Sequence, residues 1–165
     1  ERRATETSPG APADARAPAE ALLRSVAETH ALAARVAGEL RPGAVLGLVG
    51  ELGAGKTEFT RGLAAALGVP ADQPVCSPSY LLLNTYEGGR LPVAHFDAYF
   101  MDGPDDLERA GLDDLRRAGH VVVVEWADRV ADVLPHDTLW LAFEAADGGR
   151  TRRVTVGPSD GAGGP

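Results

Sequence analysis

The chain predicts an α/β fold in which a central mixed sheet is flanked by helices in a three-layer arrangement. Three features support this. "AVLGLVG" at 44–50 and "HVVVVEW" at 120–126 are short apolar runs, the pattern of strands buried on both faces. The first run leads through a glycine-rich loop into Lys56–Leu67, where Phe59, Leu63, Ala66 and Leu67 recur at helical spacing. Strand, loop and helix in that order begin a parallel α/β unit. Finally, a strand from Tyr80 to Tyr86 and another in "LPVAHFDAY" flank "EGGR", which reads as a hairpin and makes the sheet mixed.

The remaining elements follow in order. Residues 1–19 are rich in proline, alanine and charge and read as a disordered tail, because little in them repays the entropy of ordering. A single domain is expected over 20–157, and 158–165 reads as a second loose tail. A short edge strand fits 21–26. Ser25 with Glu28 forms a capping-box pattern for a helix that carries Leu32, Val36 and Leu40 on one face. "RPG" at 41–43 stops it, and Gly68 closes the helix that follows the glycine loop. "GPDDLERAGLDDLRRAG" is polar and mostly helical, anchored by Leu107, Leu112 and Leu115. "DTLWLAFEA" and "RTRRVTV" alternate around "DGG" as a closing antiparallel hairpin.

Composition limits the function. A length of 165 residues with 44% apolar content suits one globular domain. A net charge of −8 argues against nonspecific wrapping of nucleic acid, although a basic patch or a partner could still bring the two together. Cys76 is the only cysteine, so no internal disulfide can form and a reducing cytosol is the easier setting. It reads as a small apolar residue beside a turn. No apolar run approaches the ~20 residues needed to cross a bilayer, and no secretory signal is evident at the start.

The chemistry is concentrated in "LGLVGELGAGKTEFTRGLAAALG" at 46–68. Gly50, Gly55, Lys56 and Thr57 match G-x-x-x-x-G-K-[ST], the P-loop pattern, in full. Backbone N–H groups at a helix start converge on phosphate oxygens, and glycine is needed where a Cβ would block them. Glu51, Leu52, Gly53, Ala54 and Glu58 complete the loop and the helix entry; Leu52 and Ala54 need only be small or outward-facing. Lys56 brings a cation to the outer phosphates, and the Thr57 hydroxyl is placed to bind Mg2+. The context, between an apolar strand and an amphipathic helix, points to a P-loop NTPase-like fold.

Two carboxylates end strands. Glu125 follows four valines, at the strand end where open α/β sheets bind ligands, and Asp97 ends "AHFD". Either could meet Mg2+ or its water shell, or orient the attacking water; the residues alone do not say which does which. Ser77 and Ser79 lie in a loop that could present a hydroxyl to the metal, though Ser-Pro-Ser is by default a turn. His95 shares the strand face of Asp97 and reads as structural, as do Tyr80, Tyr86 and Tyr99. Trp126 reads as core on the alternate face. Arg61 is expected at the surface, and Arg109, Arg116 and Arg117 in solvated ion pairs.

Taken together, "GELGAGKTEFTRGLAAALG", "SPSYLLLNTYEG", "LPVAHFDAYFM…DDLERAGLDD" and "VVVVEWADRVADVLP" resemble the TsaE family, in family order and over most of the chain from Ser25 on. The resemblance implies a Mg2+-dependent cytoplasmic ATPase in the biosynthesis of threonylcarbamoyladenosine at position 37 of ANN-decoding tRNAs. It implies work with TsaD and TsaB, hydrolysis that resets their complex, and tRNA met through that complex. Carried over by position, Lys56 and Thr57 serve phosphates and Mg2+, Asp97 the catalytic and metal site, and Glu125 the metal. Trp126 would lie beside the nucleotide. The family's S-P-T loop has Ser79 at its last position here, which keeps the hydroxyl and loses a methyl. Glu58 replaces a small residue, and a carboxylate there is expected to turn outward, where the helix dipole favours it. A small-molecule kinase, a GTP switch and a non-hydrolysing nucleotide-bound scaffold are the competing classes. No N-K-x-D follows the loop, and D-x-x-G follows it only as "DGAG" in the terminal stretch, which counts against the switch.

Overall fold

Along the chain come strand β1 (Glu20–Leu23), helix α1 (Val26–Glu39), β2 (Val45–Gly50), α2 (Lys56–Ala66), β3 (Leu83–Tyr86) and β4 (Val93–Asp97). They are followed by α3 (Pro104–Arg109), α4 (Leu112–Arg117), β5 (Val121–Glu125), a 3-10 segment (Ala127–Val133), β6 (Leu139–Ala146) and β7 (Thr151–Pro158). This is a computed structural model, and it describes residues 17–158. Of the tails expected over 1–19 and 158–165, residues 1–16 and 159–165 lie outside the described residues, whereas Pro158 closes β7. Just ahead of β1, Ala17 N donates to Glu39 Oε1 (2.5 Å) and Ala19 O accepts from Val156 N (2.8 Å).

The strands form one mixed sheet in the order β1-β7-β6-β2-β5-β4-β3. The central four, β6, β2, β5 and β4, are parallel, and antiparallel pairs close both sides. Side-chain alternation separates two cores. Leu46, Leu48, Val121, Val123 and Val93 pack with Leu32, Val36, Phe59 and Leu63 of α1 and α2. Val45, Val122, Val124, Ala94 and Phe96 meet Leu107, Leu112 and Val130 on the opposite face. Parity then fixes the site: Asp97 continues the Val93–His95 face and Glu125 the Val121–Val123 face, so both carboxylates rise on the α2 side. Phe59, fully buried, meets Phe143 edge-on with centroids 5.7 Å apart, locking α2 against β6.

Several local expectations are corrected. The strand expected from Tyr80 begins only at Leu83, because Leu82 N donates to Pro78 O (2.7 Å) and Leu82 takes the left-handed φ of 65°. The acidic helical stretch breaks into two six-residue helices at Gly111, whose φ is 102°. The Ser25 cap forms, with Oγ accepting from Glu28 N (3.1 Å), but Glu28 reaches back to Arg24 N (2.6 Å), one residue beyond the cap. Arg109 and Arg117 pair with aspartates as expected, whereas Arg116 donates to Gly43 O (3.2 Å). Cys76 is exposed rather than tucked in as an apolar filler. Among the described residues, no helix is long and apolar enough to cross a membrane.

Candidate functional site

The glycine loop joins the end of β2 to the start of α2, and its backbone departs from ordinary geometry where the sequence requires. A Cβ on Gly50 would lie 2.5 Å from the Phe143 carbonyl oxygen, and Gly55 caps α2 with φ 107°. The N–H groups of Lys56, Thr57 and Glu58 open the helix without intrahelical partners, which leaves them pointing into the loop. Ala54 is buried and Leu52 is 87% exposed, as a loop folded around a ligand cradle would place them.

Register places Asp97 directly opposite Glu125 on neighbouring parallel strands. Hydroxyls surround the pair. Thr57 Oγ1 donates to Glu125 Oε1 (2.9 Å), and Ser77 Oγ reaches both Asp97 Oδ2 (2.6 Å) and Glu125 Oε2 (3.2 Å). Ser79 Oγ donates to Asp97 Oδ2 (3.0 Å), while Asp97 Oδ1 accepts from Tyr99 N (2.9 Å). Behind Glu125, the buried His95 has Nε2 3.2 Å from Oε1, close but not aligned as a hydrogen bond. Its Nδ1 lies 3.4 Å from Tyr86 Oη, which donates to Cys76 O (3.2 Å). A chain of contacts thus runs from the serine loop through Tyr86 and His95 to Glu125.

Lys56 lies folded over the loop. Its ammonium donates to Gly50 O and to Glu51 O (3.1 Å) and sits 4.1 Å above the Trp126 ring. Burial lowers its pKa from the ordinary 10.5, opposed by Glu125, Asp97, Asp128 and Glu51. Burial also works against the charge on Glu125. There, His95, the Thr57 hydroxyl and Lys56 outweigh it and hold the carboxyl below its usual value. The result is a cluster rich in negative charge with one buried cation, opening into a cleft of about 460 Å³ lined further by Tyr80, Tyr99 and Phe100. A wider groove of about 750 Å³ between Arg41, Asp113 and Arg117 lies at the other end of β2, away from these groups.

A family model described as "Threonylcarbamoyl adenosine biosynthesis protein TsaE" matches residues 23–154. The chain belongs to the TsaE family. It is 40% identical over 128 residues to the tRNA threonylcarbamoyladenosine biosynthesis protein TsaE of Bacillus subtilis, covering 78% of each chain. The Streptomyces coelicolor TsaE protein is 39% identical over 131 residues, 76% of this chain and 86% of its own. Among solved structures, the crystal structure of Bacillus subtilis YdiB superposes with a TM-score of 0.71 at 32% identity, covering 86% of both chains. The fold is thus the P-loop α/β fold expected.

Against the TsaE resemblance, the structure brings Lys56, Thr57, Ser79, Asp97, Glu125 and Trp126 to one cleft together with Gly53, Gly55 and Glu58. Glu51 contributes its carbonyl to Lys56 instead of lining that cleft. Trp126 does not continue the strand. It turns at φ 57° as β5 ends, which swings its ring over Lys56 and edge-on to Tyr99 (4.9 Å). The Glu58 carboxylate is turned aside, bonded to His30 Nε2 (2.7 Å) and to Arg61. Of the two serines that the sequence offers as hydroxyl donors, Ser77 is the one that reaches both carboxylates, and His95 and Tyr86, read as structural residues, are the participants that sequence reading misses. The two-residue step from His95 to Asp97 was the available signal for the histidine. Nothing local marked Tyr86, because its link to Cys76 depends on the turn at Leu82.

The donor set fits a hard divalent cation. Among the described residues no three His, Cys, Asp or Glu side chains gather into a closed metal site. Mg2+ characteristically takes one or two carboxylates or hydroxyls and completes its shell with phosphate and water oxygens. Thr57 Oγ1, Asp97, Glu125 and Ser79 offer oxygens of that kind beside unpaired helix N–H groups.

Proposed function

We propose that the chain binds and hydrolyses Mg-ATP as part of threonylcarbamoyladenosine biosynthesis on tRNA. The names of its relatives place the family in that biosynthesis. One observation carries the ATPase reading: Asp97 and Glu125 face each other on adjacent strands, both reached by the Ser77 hydroxyl, and the P-loop Thr57 hydroxyl donates to Glu125. Thr57 with Glu125 or Asp97 would hold Mg2+, which neutralises charge on the β- and γ-phosphates when bound.

The protein's own groups supply the rest. The N–H groups of Lys56, Thr57 and Glu58 hold phosphate oxygens at the head of α2. Lys56 leaves the Gly50 and Glu51 carbonyls to meet the outer phosphates, exchanging neutral acceptors for charged ones. A carboxylate not engaged with the metal accepts a proton from, or orients, the attacking water. His95 steadies Glu125 from behind. Among the described residues no arginine side chain lines the phosphate cleft, so slow turnover is expected in isolation, with stimulation by the TsaB and TsaD partners that the resemblance implies. Those partners, the approach to tRNA through them, and a cytoplasmic setting all belong to this proposal. The test is phosphate release from labelled ATP by purified protein, with and without TsaB and TsaD. Release without a phosphorylated acceptor is expected. No release even with both partners would favour the nucleotide-bound scaffold and overturn the ATPase reading.

A further inference from the structure

The serine loop that faces the two carboxylates is held in place by side chains, because residues 75–78 belong to no strand or helix. On one side the hold comes from β3. Tyr86 Oη accepts from Cys76 N (3.3 Å) and donates to Cys76 O (3.2 Å), and Asn84 Nδ2 donates to the same oxygen (3.3 Å). On the other side it comes from α2. Arg61 Nη2 donates to Val75 O (3.1 Å), two residues ahead of Ser77. Val75 is buried against the core formed with α1 and α2, which gives that carbonyl a fixed place.

Arg61 is aimed at that carbonyl by its neighbours. Its Nη1 donates to Glu58 Oε2, one turn back on α2, and Glu58 Oε1 lies 2.7 Å from His30 Nε2 on α1. The two helices approach closely here, since a Cβ on Gly62 would lie 2.8 Å from the His30 ring. A guanidinium is a rigid planar fork, so engaging two of its nitrogens with different acceptors fixes its orientation. Its place in the sequence matters as much. Arg61 follows Thr57 by four residues, so the two share one face of α2. Thr57 bonds Glu125 directly, and Arg61 holds the loop whose Ser77 and Ser79 bond Glu125 and Asp97. One helix face thus sets the distance between the phosphate loop and the serine loop.

We propose that Arg61 is a positioning residue for hydrolysis, anchoring the serine loop to α2 through Val75 O while His30 and Glu58 keep its guanidinium aimed. The inference rests on the ATPase reading given above. Arg61 does not line the phosphate cleft, and it acts only through the loop. Asp97 Oδ2 accepts from both serines, so a loop left to Tyr86 and Asn84 alone lets that carboxylate turn away from Glu125. The phosphates are held elsewhere, by the N–H groups at the head of α2 and by Lys56. Loss of the anchor therefore falls on the chemical step, and binding of ATP is left nearly intact.

The test is steady-state hydrolysis of labelled ATP by the full chain and by Arg61→Met, which keeps an unbranched stem and removes every donor. The Arg61 side chain is 46% exposed, so the fold should tolerate the change. Loss of a charge-assisted bond predicts a kcat lower by about tenfold or more, with KM for ATP within about threefold. Amide hydrogen exchange of the same samples without nucleotide reads the anchor itself. Exchange across 76–82 should rise about tenfold, while that of α2 beyond its first turn stays unchanged. Arg61→Lys, whose single ammonium can meet Val75 O without forking to Glu58, should recover part of kcat and part of the protection. Unchanged kcat, or unchanged exchange in the loop, overturns the proposal. So does exchange that rises along all of α2 with kcat and KM impaired together, because Arg61 would then support the fold alone. No phosphate release by the unaltered chain, with or without TsaB and TsaD, would instead overturn the ATPase reading, a result distinct from a variant that hydrolyses as the unaltered chain does.

Discussion

Replacing Lys56 with methionine keeps the length of the stem and removes only the cation. In the structure Lys56 is 5% exposed, its ammonium donates to two loop carbonyls, and four carboxylates act on it. Without nucleotide the loss is modest, because the cleft admits water to the freed Gly50 and Glu51 carbonyls; about 1 kcal/mol of stability is expected to go. With nucleotide the loss is larger. Two charge-assisted hydrogen bonds to phosphate, at about 1.5–2 kcal/mol each, amount to roughly 3–4 kcal/mol, or two to three powers of ten in affinity or turnover. The negative charge of Glu125 and Asp97 then meets the phosphates with less opposition, which pushes in the same direction. Calorimetric titration with Mg-ATP, beside thermal unfolding of the same samples, separates the two effects. A Lys56→Met protein that is folded and binds Mg-ATP within about threefold of the original would refute the placement of the phosphates.

Other changes have equally definite outcomes. Tyr86→Phe keeps a buried ring but cuts the hydroxyl link between Cys76 and His95, and is expected to cost about 1 kcal/mol in chemical denaturation and to slow hydrolysis more than it weakens ATP binding. Gly50→Ala sets a Cβ against a backbone oxygen at φ 148°, so thermal unfolding should show a loss of about 1–3 kcal/mol and ATP binding should fail. Glu125 is held below its ordinary 4.5, so its stabilising effect is complete above that pH and is lost as pH falls through the lower folded-state value. Glu125→Gln should therefore flatten the acid limb of the stability profile. Ser77→Ala, which removes contacts to both carboxylates, should lower the melting temperature more than Ser79→Ala, which removes a contact to one of them.

Much of this architecture was legible in the chain because strong local signals agree with the fold. The valines before Glu125 and the apolar run before Gly50 are buried on both faces, so their strands stand out from composition alone. The glycine loop, the two carboxylates and the mixed sheet follow from motif and position. What stayed hidden depends on single backbone torsions. Leu82 and Trp126 adopt left-handed conformations that no pattern at those positions announces, and they shorten β3 and swing the indole over Lys56. Contacts between distant elements were equally silent. Ser77 meets Glu125 across 48 residues, and Arg152 meets Gly53 across 99.

Titrating the purified chain with Mg-ATP and Mg-AMP in a calorimeter tests the core of the account most directly, because only the former fills the loop at the head of α2 with a full phosphate chain. Saturable one-to-one heat with ATP, and far weaker binding of AMP, is the expected result. Equal affinity for the two, or no heat from well-folded protein, would contradict it.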